Sequence, residues 1–321
     1  MKKALFASTA LVAFAGTAVA DVDLSGRAEM GIFDSDGLET AQFFTDIDVT
    51  FTMSGETDGG LTFGASVDLD EGGDAADATN NDQEDGGATI FISGAFGTVT
   101  LGDTDGALDW ALTEAGNVGN PGSIADDETA HAGYLGSYLD GAFDGQILRY
   151  DYSAGDFGVA VSVELDDADV FDEGFAIGLR YGLDLGGADV SLGIGYQEAD
   201  VSDAIGVSAT ATLANGLSFG ATYTDFSDTA VDFGALGVDD NPVDSHFSIG
   251  VGYTTGAFTV HANYGDFDGD DGAGGVDHDG FGIAATYDLG GGAIVHFGYG
   301  SSDVDTVGDF DTVSLGLGLS F

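Results

Sequence analysis

Acidic side chains dominate the residues of this sequence that could do chemistry. The 321 positions include 57 Asp and Glu, five Lys and Arg, five His and no Cys. Two of the basic residues are Lys2 and Lys3, so residues 21–321 keep only three arginines and have a formal charge of 3 − 57 = −54. Because recognition of nucleic acid requires clustered Lys and Arg, this balance argues against a nucleic-acid partner.

No arrangement of these residues predicts catalysis. We find no Cys nucleophile, no His-Glu-x-x-His metal site and no Ser in a Gly-x-Ser-x-Gly elbow. We therefore expect a protein that is not an enzyme.

One acidic loop invites a metal hypothesis. Asp268, Asp270 and Asp271 lie close together in the sequence, and carboxylates are the hard oxygen ligands that calcium prefers. The segment lacks the EF-hand spacing with its terminal Glu, so a solvated acidic loop is the favoured interpretation. Structural calcium is the alternative, and no other cofactor is expected.

The N-terminus has the three parts of a secretory signal peptide in their usual order. Met1–Lys3 is basic, Ala4–Ala15 is mostly apolar, and Ala18–Ala20 is a small-x-small cleavage site. We predict that residues 1–20 are removed and that residues 21–321 form one domain. An exported protein without disulfides must take its stability from size, from closure or from a membrane.

After the signal, apolar residues recur with period two, which predicts strands with one apolar and one polar face. Between Phe43 and Met53, for example, Ile47, Val49 and Phe51 alternate with polar residues. Most segments of this kind have about the length that a tilted strand needs to cross a bilayer. The sixteen predicted strands are 22–34, 41–54, 61–70, 88–94, 98–103, 146–153, 157–165, 174–184, 188–199, 203–213, 217–227, 244–254, 257–267, 278–288, 293–302 and 310–321.

Short and long connections alternate between these strands. The short ones are Gly-rich, such as Asn215-Gly216, and suit tight hairpins. The long ones are acidic: Glu71–Gly87, Asp103–Gly145, Asp166–Glu173, Ser227–Val243 and Asp268–Asp277. This rhythm predicts an all-β fold, a transmembrane antiparallel barrel with short periplasmic turns and long external loops.

The composition of the two faces predicts their surroundings. The polar face is rich in Gly, Ser, Thr and Asp, which cannot fill a dry interior, so we expect it to line water while the apolar face meets lipid. All three arginines and three histidines fall on the polar face: Arg27, Arg149, Arg180, His246, His261 and His296.

The whole of residues 21–321 resembles the trimeric general porins of alphaproteobacteria. The most specific part is the hairpin Ser93-Gly94-Ala95-Phe96-Gly97, which is followed by Leu101-Gly102-Asp103 and a very long loop. Further matching segments are Leu24–Gly26, Phe51–Gly55, Leu61–Ser66, Tyr150–Gly155 and the terminal Phe321.

This resemblance implies that the third loop, roughly Asp103–Gly145, folds into the lumen and forms a constriction. Relatives set the acids of this loop against a basic cluster on the opposite wall, from which this chain departs because it has only three arginines. The constriction acids are then Asp103, Asp105, Asp109, Glu114, Asp126, Asp127 and Glu128. The pore-wall candidates are Arg27, Glu29, Asp46, Asp48, Arg149 and Arg180.

The sequence and the resemblance together predict an outer-membrane porin, a water-filled, cation-selective channel for passive diffusion of ions and small hydrophilic solutes. The resemblance also implies a homotrimer in contact with outer-membrane lipid. A secreted, calcium-binding all-β adhesin is the alternative, because the loops are rich in Gly and Asp. A repeated nonapeptide would favour the adhesin, and we find none.

Overall fold

The described part of the chain consists of antiparallel strands and two short helical turns. The computed structural model describes residues 21–72, 87–136, 146–165, 173–199, 203–227, 230–233, 238–270, 272–305 and 307–321. The predicted signal peptide, residues 1–20, lies outside the described residues.

The strands occupy most of the positions that the alternating pattern predicts. They are β1 (Asp21–Ser35), β2 (Gln42–Glu56), β3 (Thr62–Gly72), β4 (Ala88–Gly94), β5 (Gly97–Gly102), β6 (Ile147–Ala154), β7 (Phe157–Glu164), β8 (Gly174–Asp184), β9 (Ala188–Glu198), β10 (Asp203–Leu213), β11 (Leu217–Ser227), β12 (Ala230–Phe233), β13 (Val238–Thr255), β14 (Phe258–Gly269), β15 (His278–Gly290), β16 (Ala293–Val304) and β17 (Gly308–Ser320). Helix α1 is Ala107–Ala111, and a single 3₁₀ turn follows at Ala115–Asn117.

Sixteen of these strands close into one antiparallel barrel. Each pairs with its neighbour in the sequence, except that β11 pairs with β13, and β1 pairs with β17 to complete the ring. Beside this closure, the Phe321 N–H donates to the Gly26 carbonyl at 2.9 Å. A closed barrel leaves no unpaired strand edge, which is the condition for placing strands in lipid. The predicted fold class is confirmed.

One predicted connection is wrong. The sequence predicts a continuous external loop over Ser227–Val243, whereas the structure has a hairpin there, in which β12 pairs with the outer end of β13. The apolar alternation at Val231 and Phe233 covers a single repeat among acids and glycines, which is too short to indicate a strand.

The apolar face is the outer face of the barrel, as the sequence predicts. In β8, Phe175, Ile177 and Leu179 are exposed, while Ala176 and Gly178 are buried on the inside. The same pattern runs through β9 to β11. A continuous exposed belt of large apolar side chains suits contact with lipid.

Tight turns join the strands at one end of the barrel. Gly216 adopts φ 91°, its N–H donates to the Leu213 carbonyl at 3.0 Å, and its own carbonyl accepts from Thr254 at 2.9 Å. This left-handed conformation favours Gly, which explains the Asn-Gly pair at this hairpin. No helix within the described residues is long and apolar enough to cross a membrane.

Candidate constriction inside the barrel

The connection after β5 lies inside the barrel and follows its inner wall. Helix α1 packs against β7, β8 and β9, and the 3₁₀ turn packs against β11, β13 and β14. Further along, Ile124 lies against Gly31 of β1 and Gly316 of β17. The predicted folding of the third loop into the lumen is therefore confirmed for residues 103–136, whereas residues 137–145 of the same connection lie outside the described residues.

Glycines on the lumenal face of the strands make room for the loop backbone. A Cβ on any of these glycines would lie closer than 3.0 Å to a loop carbonyl oxygen, a distance that real Cβ atoms essentially never show. Any larger residue would therefore displace either the loop or the strand. Five such pairs are Gly178 with Ala107, Gly193 with Ala111, Gly250 with Ala115, Gly265 with Gly133, and Gly282 with Glu128.

Three wall histidines bond to carbonyl groups of the loop. His261 Nδ1 lies 3.1 Å from the Val118 oxygen, His246 Nε2 lies 2.9 Å from the Gly133 oxygen, and His296 Nδ1 lies 2.9 Å from the Gly122 oxygen. All three rings are buried. The sequence correctly predicts their lumenal side, but they lie beneath the loop and do not line open water.

Hydroxyl and amide side chains of the wall satisfy further loop groups. The Ala107 N–H donates to Ser162 Oγ at 2.8 Å, and Thr222 Oγ1 donates to the Thr113 carbonyl at 3.0 Å. Asn263 Nδ2 donates to the Glu128 carbonyl at 2.7 Å. Because buried backbone groups require partners, these contacts fix the path of the loop as well as its depth.

Two predicted constriction acids are buried anchors, and their assignment to the pore surface is wrong. Asp127 is 0% exposed and Glu128 is 1% exposed. Asp127 accepts hydrogen bonds from Ser123 at 3.1 Å and from Ser314, and Glu128 accepts one from Asn120 at 3.1 Å. Burial raises the pKa of Asp127, and the hydroxyl hydrogen bonds oppose that shift. Neither carboxylate is accessible to a permeating ion.

The side chains of the other five predicted constriction acids are at least partly exposed to solvent. Asp103, Asp105 and Asp126 are exposed, and Asp109 and Glu114 are partly exposed. These five residues remain the candidates for acids that a permeating ion meets at the loop.

The wall formed by β1 to β3 presents a second group of carboxylates. The strand register sets Glu29 opposite Asp46, Arg27 opposite Asp48, and Asp48 opposite Asp70. One carboxylate oxygen from each of Asp46, Asp48 and Asp70 lies within 4.8 Å of the others. This part of the wall thus concentrates acids.

The three arginines have different surroundings. Arg27 is hydrogen-bonded to Glu29, whose side chain is only 5% exposed and so contributes little open surface to the pore wall. Arg149 donates to the Asp105 carbonyl at 2.6 Å and lies 3.5 Å from the Asp105 carboxylate. The guanidinium carbon of Arg180 lies 3.7 Å from the centroid of the Trp110 ring.

The predicted calcium ligands do not form a described cluster. Asp270 Oδ1 accepts hydrogen bonds from the Gly272 and Ala273 amides at 2.7 and 3.2 Å, as in a solvated turn. Asp271 lies outside the described residues, and Asp268 is exposed at the end of β14. Calcium binding at this loop stays a prediction.

A closed barrel with an apolar outer belt and an acidic lumen narrowed by an internal loop has the architecture of a transmembrane diffusion channel. The family model of Gram-negative porins matches residues 7–307 of the chain. This chain belongs to the Gram-negative porin family. It is 32% identical over 311 residues to a porin of Rhodobacter capsulatus, a match that spans 88% of this chain and 95% of that protein.

Solved structures agree with this assignment. A porin structure refined at 1.8 Å resolution is 28% identical, with a TM-score of 0.70, and the match covers 94% of this chain and 100% of the other. A triple mutant of the Rhodopseudomonas blastica porin is 21% identical with a TM-score of 0.67 over the same shares, which shows the shared fold. The resemblance to alphaproteobacterial porins is confirmed.

The protein is therefore an outer-membrane porin, a channel for passive diffusion of small solutes, and it is not an enzyme. The alternative of a secreted adhesin is wrong. The expectation that the sequence has no Gly-x-Ser-x-Gly spacing is wrong, because Gly216–Gly220 has it, but these residues form a hairpin turn and the start of β11. Ser218 donates to Thr212 at 3.3 Å, and no strand-turn-helix elbow exists there.

Sequence reasoning missed the residues that hold the loop. Gly178, Gly250 and Gly282 alternate with apolar residues on β8, β13 and β15, and strand parity identifies such positions only as small lumenal residues. Their recurrence on the same face of many strands is a signal for a segment packed against that face. Trp110, the only Trp in the chain, lies in no motif that would identify it as a site residue.

His131, which lies within the loop, predicts a pH-dependent stability. Its Nε2 lies 2.6 Å from Asn263 Oδ1, and its Nδ1 accepts from the Gly133 amide at 3.2 Å, so the buried ring is neutral. Burial lowers the pKa of His131 below its ordinary value, while the hydrogen bond to Asn263 opposes that shift. The unfolded chain therefore takes up the proton first. The free energy of unfolding is therefore unaffected by protonation of His131 above the unfolded pKa, near 6.5. As the pH drops from this value towards the lower pKa of the folded state, the free energy of unfolding falls by up to about 1.4 kcal/mol per pH unit.

We expect the melting temperature of the purified porin in detergent to fall more between about pH 7.5 and about pH 5.5, one unit either side of an ordinary His pKa, than the melting temperature of His131→Gln. The variant keeps polar atoms at this position but cannot take up a proton. Parallel pH profiles for the two proteins would contradict a buried neutral His131.

Proposed function

We propose that this porin is a cation-selective channel. The support is the distribution of carboxylates: exposed acids of the loop, such as Asp105, and the group Asp46, Asp48 and Asp70 on β2 and β3 lie on different parts of the lumenal surface. A pore lined by one sign of charge concentrates counter-ions and excludes co-ions.

The arginines offset little of this charge. Arg27 is paired with Glu29, and Arg149 is paired with Asp105 and, at 3.8 Å, with Asp151. Among the described arginines, only Arg180 has no ion pair with a described residue. A single unpaired cation offsets little of the formal charge of −54 on residues 21–321. The transverse field that a basic cluster would create is replaced by a field of a single sign.

The reversal potential in a potassium chloride gradient tests the selectivity. We expect cation preference at neutral pH, and we expect it to weaken with salt because the Debye length shrinks to roughly 3 Å at about 1 M. Replacing Asp103, Asp105 and Asp109 together with Asn should lower the preference more than replacing Asp268, Asp270 and Asp271. Both variants remove the same formal charge, so only its position differs.

A reversal potential that reports anion preference would overturn the proposal. Equal effects of the two triple variants on the reversal potential would mean that Asp103, Asp105 and Asp109 lie away from the permeation path.

We further propose that residues 1–20 are a cleaved signal peptide and that the mature chain assembles as a homotrimer in the outer membrane. The support is the order of basic, apolar and small residues at the N-terminus and the resemblance to trimeric porins. Native mass measurement of the protein extracted in mild detergent should give three chains that each begin at Asp21. A conducting species that is strictly monomeric would contradict the trimer.

We keep structural calcium in the external loops as a proposal. Asp268 and Asp270 are close in sequence and mutually repulsive, so a divalent ion would relieve their repulsion. Millimolar calcium should then raise the melting temperature of the porin, and the rise should disappear in Asp268→Asn/Asp270→Asn. An unchanged melting profile in a chelator would contradict calcium binding.

A further inference from the structure

Arg180 is the only one of the three described arginines that makes no hydrogen bond or ion pair with a described residue. Its side chain is exposed on the lumenal side of β8. The guanidinium carbon lies 3.7 Å from the centroid of the Trp110 ring, a cation–π contact that stabilises the cation over the ring. The guanidinium has five N–H donors, and those that do not face the ring remain available for hydrogen bonds.

The pair packs closely against a Gly of the wall. A Cβ at Gly158 of β7 would lie 2.9 Å from Trp110 Cη2 and 3.0 Å from Arg180 Cγ. Trp110 comes from α1 of the loop, and α1 itself is docked against β7, β8 and β9. The pair is therefore formed by the loop and the wall, two distant parts of the chain.

Negative charges lie on the same stretch of the lumenal wall as the Arg180 guanidinium. Along the lumenal face of β7, Gly158, Ala160 and Ser162 pair with Arg180, Asp151 and Arg149 respectively. Asp151 thus lies between the two arginines, and the largely exposed Asp105 carboxylate meets Arg149 from the loop. A fixed donor for a carboxylate and several acceptors for an ammonium occur on one stretch of the lumen.

We propose that Arg180 and Trp110 form a binding subsite for small zwitterionic solutes. The solute carboxylate accepts hydrogen bonds from the planar guanidinium, the geometry in which Arg binds carboxylates most specifically. The solute ammonium faces the carboxylates of Asp151 and Asp105. A simple anion gains the same contact with Arg180 but is repelled by the acidic lumen, and a simple cation gains nothing from Arg180. This deepens the proposed function, on which it rests for the single sign of the lumenal field.

Trp110 makes the site directly observable, because it is the only Trp in the chain. The intrinsic fluorescence of the purified porin in detergent is titrated with three probes of similar size at constant ionic strength: the free amino acid glycine, acetate and glycinamide. We expect a saturable change with the zwitterion at millimolar concentration, on the order of weak solute binding. We expect at least about fivefold weaker binding of acetate and glycinamide, a difference of about 1 kcal/mol. Titration calorimetry on the same samples detects binding that leaves fluorescence unchanged.

Three arginine variants separate the site from net charge. Arg180→Gln should abolish saturable binding of the zwitterion, whereas Arg27→Gln, which removes the same charge elsewhere in the lumen, should retain it. Arg180→Lys keeps the charge but loses the planar donor pair, so binding should weaken at least about fivefold. This variant also tests the site if Arg180→Gln fails to fold.

Absence of both heat and fluorescence change, equal binding by Arg180→Gln and the wild type, or tighter binding of acetate than of the zwitterion would each overturn the subsite. Reversal potentials measured on the same preparations distinguish its failure from that of the cation-selective channel. If the porin prefers cations but does not bind the zwitterion, only the subsite is contradicted. If it binds the zwitterion but does not prefer cations, only the proposed selectivity is contradicted.

Discussion

The loop that narrows this barrel lies so close to the wall that its backbone touches strand backbone. That approach is possible only where the wall residue has no side chain, and Gly178, Gly250 and Gly282 meet this requirement at separate strands. The position of the loop follows from this steric constraint. Which loop side chains reach water, and which are trapped beneath, follows from the position of the loop.

Close packing of one backbone on another creates a second requirement. Loop amides and carbonyls that lose contact with water need partners, or each costs on the order of 1–3 kcal/mol. The wall supplies them from His246, His261 and His296 and from hydroxyl groups such as Ser162. A barrel interior of this kind combines glycines, which permit approach, with short polar residues, which satisfy the groups that approach. The lumenal face is polar for this reason as well as for contact with water.

The sequence predicts the barrel well because period-two alternation is a local property that survives in nearly every strand. It fails at β12, where the alternation is too short to stand out from the acidic surroundings. It also fails to separate Asp126, which is exposed, from Asp127 and Glu128, which are buried. Three consecutive acids give no periodic signal. Their separation depends on the turn at Asp126, which adopts φ 47°, and on the side to which the docked loop presents each residue.

The same constraint explains why the candidate site was only partly predictable. The acids of β2 and β3 follow from strand parity, so the sequence alone predicts Asp46 and Asp48 on the pore wall. The pairing of Arg149 with Asp105 and of Arg180 with Trp110 joins residues on the loop to residues on the wall. No local pattern fixes the register between those two segments, and the glycine positions that do fix it gain meaning only when the loop is in place.

Two glycines on the same face of β8 provide the most direct measurement. A Cβ at Gly178 would collide with the Ala107 carbonyl, whereas a Cβ at Gly182 would meet nothing nearer than the Asp156 oxygen at 4.0 Å. The single-channel conductance and melting temperature of Gly178→Val and Gly182→Val should therefore differ. We predict that Gly178→Val displaces α1 towards the pore, lowers conductance and melts at a lower temperature, while Gly182→Val stays close to the wild type. Wild-type conductance and melting in Gly178→Val would contradict a loop held in place by its fit to the wall.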